Sequence, residues 1–230
     1  MIHTFRLWRK SWAHKMNRPW IRLLAWLELL IIDHGLFRAL YNTPEEVVDG
    51  LWRSNQPSPW RLRRLANQGF RTVVSLRGGG TDGPWLLEKE ACERHGLTLF
   101  SLRMKSNRAP SRTSLQELVQ VVREAERPLL VHCKSGADRS GLAAAVFLLD
   151  QSPPRFEEAR AQLHWRYLHS RTARTGILDA FIEAYEAFYR QQPVEFSDWL
   201  DHHYDPKALS GSFRPRGLSS WLVDRVLRRE

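Results

Sequence analysis

Cys133 and Arg139 bracket five residues in the stretch HCKSGADRSG, residues 132–141. A thiol and a guanidinium at this spacing point to nucleophilic attack on an anionic centre. The thiol must ionise before it can attack. Free cysteine titrates near 8.5, and helix N-termini with nearby cations lower that to roughly 3.5–7.5. Cys133 stands between two apolar runs, Leu129–His132 and Gly141–Asp150, so it is expected at the end of a strand, just before a helix. The residues between, Lys134, Ser135, Gly136 and Ala137, can turn their backbone N–H groups inward as an anion nest. Gly136 permits the tight curl. Arg139 offers a planar fork for two phosphate oxygens. Ser140 is placed to donate to the thiolate and help it leave. This is the chemistry of phosphoryl transfer through a phosphocysteine.

The elements that must position these groups follow from local pattern. Val47–Arg53 predicts a strand or hairpin turning at Asp49-Gly50. Trp60–Gln68 predicts a helix closed by Gly69. Arg71–Leu76 is a β-branched run suited to a buried strand, and residues 78–84 form a glycine-rich loop. A helix over Trp85–His95 ends at Gly96, and a strand over Leu97–Leu102 follows. Further helices are predicted over Ser114–Arg127, Gly141–Asp150, Phe156–His169 and Gly176–Tyr189, with a strand at Leu129–His132. Strands alternating with helices predict an α/β fold, a central and mainly parallel β-sheet flanked by helices. In such sheets ligands bind at the carboxyl ends of the strands, where this loop falls.

The loop resembles the CX5R(S/T) signature of the protein tyrosine phosphatase superfamily, in its dual-specificity-like branch. The preceding His132, the internal Gly136 and the following Ser140-Gly141 strengthen the match. Leu51–Pro57, then a helix, then TVVSLR, is similar to the opening of atypical dual-specificity phosphatases of bacteria, fungi and plants. The resemblance spans roughly residues 45–190. It implies a protein-tyrosine or dual-specificity type of phosphomonoester hydrolase, with no metal or other cofactor. Cys133 would be the nucleophile, Arg139 the oxygen-binding group, and Lys134 to Ala137 with Ser140 the substrate-binding loop. His132, Arg53 and Arg77 are supporting candidates, the arginines as loop-holding groups.

The sequence departs from the family in one place. The loop that usually supplies an Asp as proton donor reads RMKSNRAPSR, residues 103–112, with no Asp or Glu. Asp138, directly before Arg139, is the expected substitute. Myotubularin-like lipid phosphatases carry an Asp at that position, and the like charge of a bound phosphate favours its protonated form. Its other reading is a brace for the loop, and Asp82 is the alternative donor. Lys134, Lys105, Arg108 and Arg112 make the pocket rim basic. Such a rim suits substrates with more than one phosphate, or an anionic lipid phosphate as the alternative to a phosphorylated protein.

Composition bounds the rest. The chain has 230 residues, a net charge of +10 and only two cysteines, Cys92 and Cys133. That excludes a disulfide framework and fits a reduced, cytoplasmic setting. The charge favours anionic partners, yet no nucleic-acid-binding motif and no nucleotide-binding loop is present, so nucleic acid is not an expected partner. His164 and His169 stand five apart, which is not zinc-ligand spacing. Residues 1–42 read as a basic helical extension, 43–192 as the catalytic domain and 193–230 as a tail ending in a basic amphipathic stretch, Trp221–Arg229. In the extension Phe5, Trp8 and Trp12 recur at helical spacing, as do Trp20, Leu23, Leu24, Leu27 and Ile31, with Pro19 starting the second helix. This stripe either packs on the domain or lies in the inner face of a membrane as a peripheral contact through residues 1–40. The apolar run Trp20–Ile32 is too short to span a bilayer.

Overall fold

The computed structural model describes residues 11–38 and 40–215. Phe5, Trp8 and the stretch Trp221–Arg229 lie outside them. Five strands form one sheet: β1 Glu45–Val48, β2 Leu51–Ser54, β3 Thr72–Ser75, β4 Thr98–Ser101 and β5 Leu129–His132. Their order is β1-β2-β5-β3-β4. Among these five strands the β1–β2 hairpin is antiparallel and the other pairings are parallel. It turns at Asp49 and Gly50, both with positive φ, as a tight hairpin turn demands. Strand β5 sits at the centre and is buried along its whole length, because helices cover both faces. Alternation sorts its side chains: Leu129 and Val131 join one core layer and Leu130 the other.

The helices are α1 Pro19–Leu27, α2 Gly35–Arg38, α3 Pro59–Asn67, α4 Gly83–His95, α5 Arg112–Glu124, α6 Arg139–Leu149, α7 Phe156–Ala161, α8 Ile177–Gln191, α9 Phe196–His202 and α10 Pro206–Ser212. Helix α6, every residue of it buried, packs with α5 and α8 on one sheet face. Helices α3 and α4 cover the other.

Three expectations require correction. The helix predicted over Phe156–His169 stops at Ala161. A short 3-10 turn, Trp165–Tyr167, follows, and Leu168 takes a positive φ. The chain leaves the helix there because Gln162, Tyr167 and His169 have polar partners beneath the active-site loop. Second, residues 196–212 are no tail. Phe196, Trp199, Leu200 and Tyr204 are buried in the main core, where their rings stack with Phe181 and Tyr185. Aromatic area of this kind dominates core energetics.

Third, the extension divides its apolar residues differently from the predicted stripe. Helix α1 runs on as a π-helical turn, Glu28–Ile32. Its inward residues are Ile21, Ala25 and Leu29, which pack with Trp12, Leu86 and Leu87. The approach is close: a Cβ on Gly83 would lie 2.6 Å from the Ala25 Cα. The Gly83 N–H donates to Glu28 at 2.9 Å. Trp20, Leu23, Leu27 and Ile31 of the predicted stripe are exposed instead.

Candidate active site

The loop between β5 and α6 curls tightly around the Cys133 sulfur. Gly136 takes φ +76, and a Cβ there would meet the Asn55 backbone N at 2.7 Å and the Ser54 carbonyl carbon at 2.9 Å. Only glycine satisfies both demands. The Gly136 N–H points at the Cys133 Sγ, 3.3 Å away, and Ser140 Oγ lies 3.5 Å from the same sulfur. Cys133 is buried. Burial pushes its thiol up, but the Arg139 charge and hydrogen bonding from Ser140 outweigh it, and the net shift is downward. A stabilised thiolate is the form that attacks. Arg139, Lys134 and Arg77 line a cavity of about 270 Å³ together with Gly78–Gly80, Asp82, Trp85 and Glu88.

Arg53 holds the loop from below. Its guanidinium donates to the Gly136 carbonyl at 2.7 Å and the Ala137 carbonyl at 3.3 Å. It also donates to the Gln162 carbonyl and side chain at 2.6 and 2.9 Å. It stacks 3.7 Å from the Tyr167 ring centroid. Burial lowers its pKa to about 10, so it stays charged at neutral pH. Asn42 ties the same layer together by donating to the Ser135 and Tyr167 carbonyls at 2.8 and 2.9 Å. His132 faces Glu88, a buried carboxylate that also accepts from Gln56 at 3.1 Å. Ser135 Oγ accepts from the Ala137 N–H at 3.4 Å.

Comparison with known proteins decides the family. Residues 39–174, more than half of the chain, match the family described as DSP-PTPase phosphatase fused to NAD+ kinase. The chain belongs to this family. It is a cysteine-dependent phosphatase of the tyrosine and dual-specificity type. No curated protein sequence matches it. Among solved structures, a phosphatase from Shewanella putrefaciens CN-32 is similar at 16% identity, over 68% of this chain and 95% of that one, with a TM-score of 0.51. TpbA of P. aeruginosa, in complex with pTyr, is 21% identical over 68% and 92%, with a TM-score of 0.49. The catalytic domain of the PP-IP phosphatase SIW14 from S. cerevisiae is 18% identical over 66% and 96%, with a TM-score of 0.46.

Two charged clusters flank the loop of this phosphatase. On one side Asp138, only 2% exposed, accepts from His169 Nδ1 at 2.8 Å, and His169 Nε2 reaches Asp179 at 2.8 Å. Burial works against a charged imidazole, yet the bonds and charges of the two carboxylates overcome it and raise His169 to about 9. On the other side stands Asp33, from the extension. It pairs with Arg38 at 2.8 Å, with Arg77 at 2.8 and 3.1 Å, and with Lys134 at 3.3 Å. Burial pushes its carboxyl up, but Arg77, Arg38 and Lys134 prevail and the net shift is downward.

Sequence reasoning missed Asp33, His169, Asp179, Gln162 and Tyr167. Of these, His169 carries a signal in the sequence only as a histidine whose spacing from His164 does not suit a metal. Of the predicted rim cations only Lys134 lines the cavity, where Arg77, predicted as a loop-holding group, and Arg103, which the sequence did not single out, join it. Lys105 and Arg108 are exposed, and Arg112 donates instead to the Tyr204 carbonyl at 2.7 Å. The carboxylates lining the cavity are Asp82 and Glu88, and Asp82 also caps α4 through the Trp85 N–H at 2.9 Å.

Proposed function

We propose that this phosphatase hydrolyses aryl phosphate monoesters, above all phosphotyrosine in proteins. Cys133 attacks phosphorus, forming the S–P bond as the P–O bond to the leaving group breaks. Arg139 and the loop amides hold the phosphoryl oxygens. Water then attacks phosphorus, the S–P bond breaks, and inorganic phosphate departs. The observation that carries the reading is the Cys133 thiol, held below its usual range where the Gly136 N–H and Ser140 converge. A module that only binds phosphate has no use for an activated thiol.

Asp138 is the proton donor in this proposal and later accepts a proton from water. It is almost fully buried and does not line the cavity, whereas its rival Asp82 does, which is why the test below includes both. His169, an imidazolium at neutral pH, shares a hydrogen bond with it. An approaching phosphate dianion draws that proton toward Asp138 by charge. A phenolate leaves more readily than an alkoxide, so a donor held this indirectly suits aryl substrates better than lipid ones.

The test is hydrolysis of an aryl and an alkyl phosphate by wild type, Cys133→Ser, Asp138→Asn and Asp82→Asn, with chelator present. Activity that survives chelation and vanishes in Cys133→Ser supports the phosphocysteine route. Asp138→Asn is expected to lose more on the alkyl ester than on the aryl one. Equal losses on both reduce Asp138 to a brace, and an alkyl-selective loss in Asp82→Asn transfers the donor role there.

A second proposal concerns location. The outer face of the extension lies against an anionic membrane surface. Leu23, Ile31 and Trp60 are 60%, 62% and 65% exposed, and Trp20, Leu27, Ile32 and Leu36 join them. Trp26 stacks on Trp60 with centroids 4.6 Å apart, which joins α1 and α3 into one surface. Arg18, Arg63 and Arg64 are exposed around it. Among described residues 11–44 the only acids, Glu28 and Asp33, are buried, and 55–70 contain none. Apolar and aromatic side chains ringed by arginine suit an anionic interface. Glu90, which lines the groove beside Trp26 and Trp60, is paired with Arg22 and Arg94. No helix among the described residues is long and apolar enough to cross a membrane. Flotation with phosphatidylcholine vesicles, with and without phosphatidylglycerol, tests this against the variant Leu23→Glu/Leu27→Glu. Equal flotation of both proteins, or none of either, sinks the proposal.

A further inference from the structure

Asp33 and Arg38 precede residues 39–174, the span matched by the family. The extension therefore carries a carboxylate of its own into the phosphate site. That carboxylate meets three cations. Arg38 is the deepest and also donates to the Lys134 carbonyl and the Gln56 side chain, both at 3.4 Å. Arg77 and Lys134 line the cavity beside Arg139. Both aim their charged groups at Asp33, Arg77 through two parallel bonds and Lys134 through its Nζ. A bidentate arginine and an ammonium around two oxygens are the arrangement by which proteins hold a phosphate. Here the two oxygens are built into the chain.

The position is also fixed. Asp33 follows directly on the π-helical turn Glu28–Ile32. That turn is anchored through Leu29 in the packed layer and through Glu28 on the Gly83 N–H. A carboxylate on this support is a structural fixture of the site.

We infer that Asp33 is a specificity-determining residue, a built-in anion that occupies Arg77 and Lys134 and so restricts the site to substrates with one phosphoryl group. The inference rests on the phosphatase reading and adds to it. A second phosphate beside the reacting one would need the cations that Asp33 holds, and would meet its negative charge as well. The basic loop thus attracts one phosphoryl group without becoming a site for polyphosphates.

The experiment is competitive inhibition of aryl phosphate hydrolysis by inorganic phosphate and by inorganic pyrophosphate, with wild type and Asp33→Asn. The variant is expected to gain about tenfold in pyrophosphate affinity and less than about threefold in phosphate affinity, since it removes the negative charge that both cations face. No gain, or equal gain for both anions, overturns the inference. Should Asp33→Asn fail to fold by circular dichroism, Lys134→Met decides. Lys134 is engaged by Asp33, so pyrophosphate inhibition is expected to change by less than about twofold, whereas a tenfold weakening shows Lys134 serving a second phosphate. Calorimetric binding of the same two anions gives the same comparison without turnover. A folded chain that binds both anions but hydrolyses nothing counts against the proposed function alone.

Discussion

The two flanks of the phosphate loop are built with opposite proportions. On the α8 side two carboxylates, Asp138 and Asp179, enclose one cation, His169. On the extension side three cations, Arg38, Arg77 and Lys134, enclose one carboxylate, Asp33. The first cluster faces away from the cavity, with Asp138 and His169 sealed and Asp179 partly exposed beside a separate surface pocket. The second opens into it through Arg77 and Lys134. The difference separates two tasks. The sealed side holds a titrating group whose charge depends on its partners, so it fixes the loop and responds to pH. The open side holds two arginines and a lysine around one carboxylate, so it sets the field at the mouth of the cavity.

Breaking the sealed side is expected to have the largest effect. His169→Phe leaves two carboxylates in a buried place with no cation between them. Removing one partner of a buried charged network costs about 3–5 kcal/mol, and urea denaturation would measure it. A loss below about 1 kcal/mol would mean that water reaches the cluster and that the sealed and open sides are alike. The pH dependence comes next. His169 is raised to about 9 from an ordinary 6.5. A raised cationic group stabilises the fold fully below its unfolded pKa and loses that contribution as pH rises through the folded value. Stability is therefore expected to fall by about 3 kcal/mol between roughly pH 6.5 and pH 9. His169→Gln should flatten that slope. An unaltered slope in the variant would locate the titrating group elsewhere.

The contrast between the flanks also explains what the sequence disclosed. The loop from Cys133 to Ser140 is contiguous, and each residue has a local reason to be there. The hairpin at Asp49-Gly50, the Gly96 cap after α4 and the β5 strand were legible for the same cause, since turn chemistry, capping and burial are short-range signals. Both flanking clusters are long-range. Asp33 reaches Lys134 across about a hundred residues of chain, and His169 reaches Asp138 across thirty-one. Nothing local marks Asp33 except that it ends an apolar run. His169 sits in a segment whose apolar spacing reads as helix, and the chain abandons helix there to satisfy Arg53 and Asp138. Residues 196–212 were misread for a related reason. Polar residues and two prolines surround Phe196, Trp199 and Tyr204, and only the packed core reveals where those rings go.

The open side should yield smaller effects. Lys134→Met removes a cation that is 16% exposed, and Asp33 keeps both arginines as partners. A redundant pair of this kind, whose carboxylate is still held by two arginines, contributes about 1 kcal/mol or less. Thermal unfolding of the variant should therefore stay close to wild type, in contrast to His169→Phe. A loss as large as that of His169→Phe would show that the extension is held down by Lys134 alone, and the division of tasks between the flanks would fail.

The smallest effect is expected beyond both clusters, at Lys105 and Arg108. These stand exposed on the loop that lacks an acidic residue, and neither lines the cavity. Their charges act on substrate only through solvent, where screening has a length of about 8 Å at physiological salt. The double variant Lys105→Ala/Arg108→Ala should raise KM for an aryl phosphate by about twofold or less at that ionic strength, more at low salt, and leave kcat unchanged. A tenfold rise in KM that persists in high salt would mean that the loop closes onto the substrate and makes direct contact. Arg103, at the start of that loop, already lines the cavity. The open side would then extend from Asp33 past Arg103 to Lys105 and Arg108, and the boundary of the substrate site would have to be redrawn to include them.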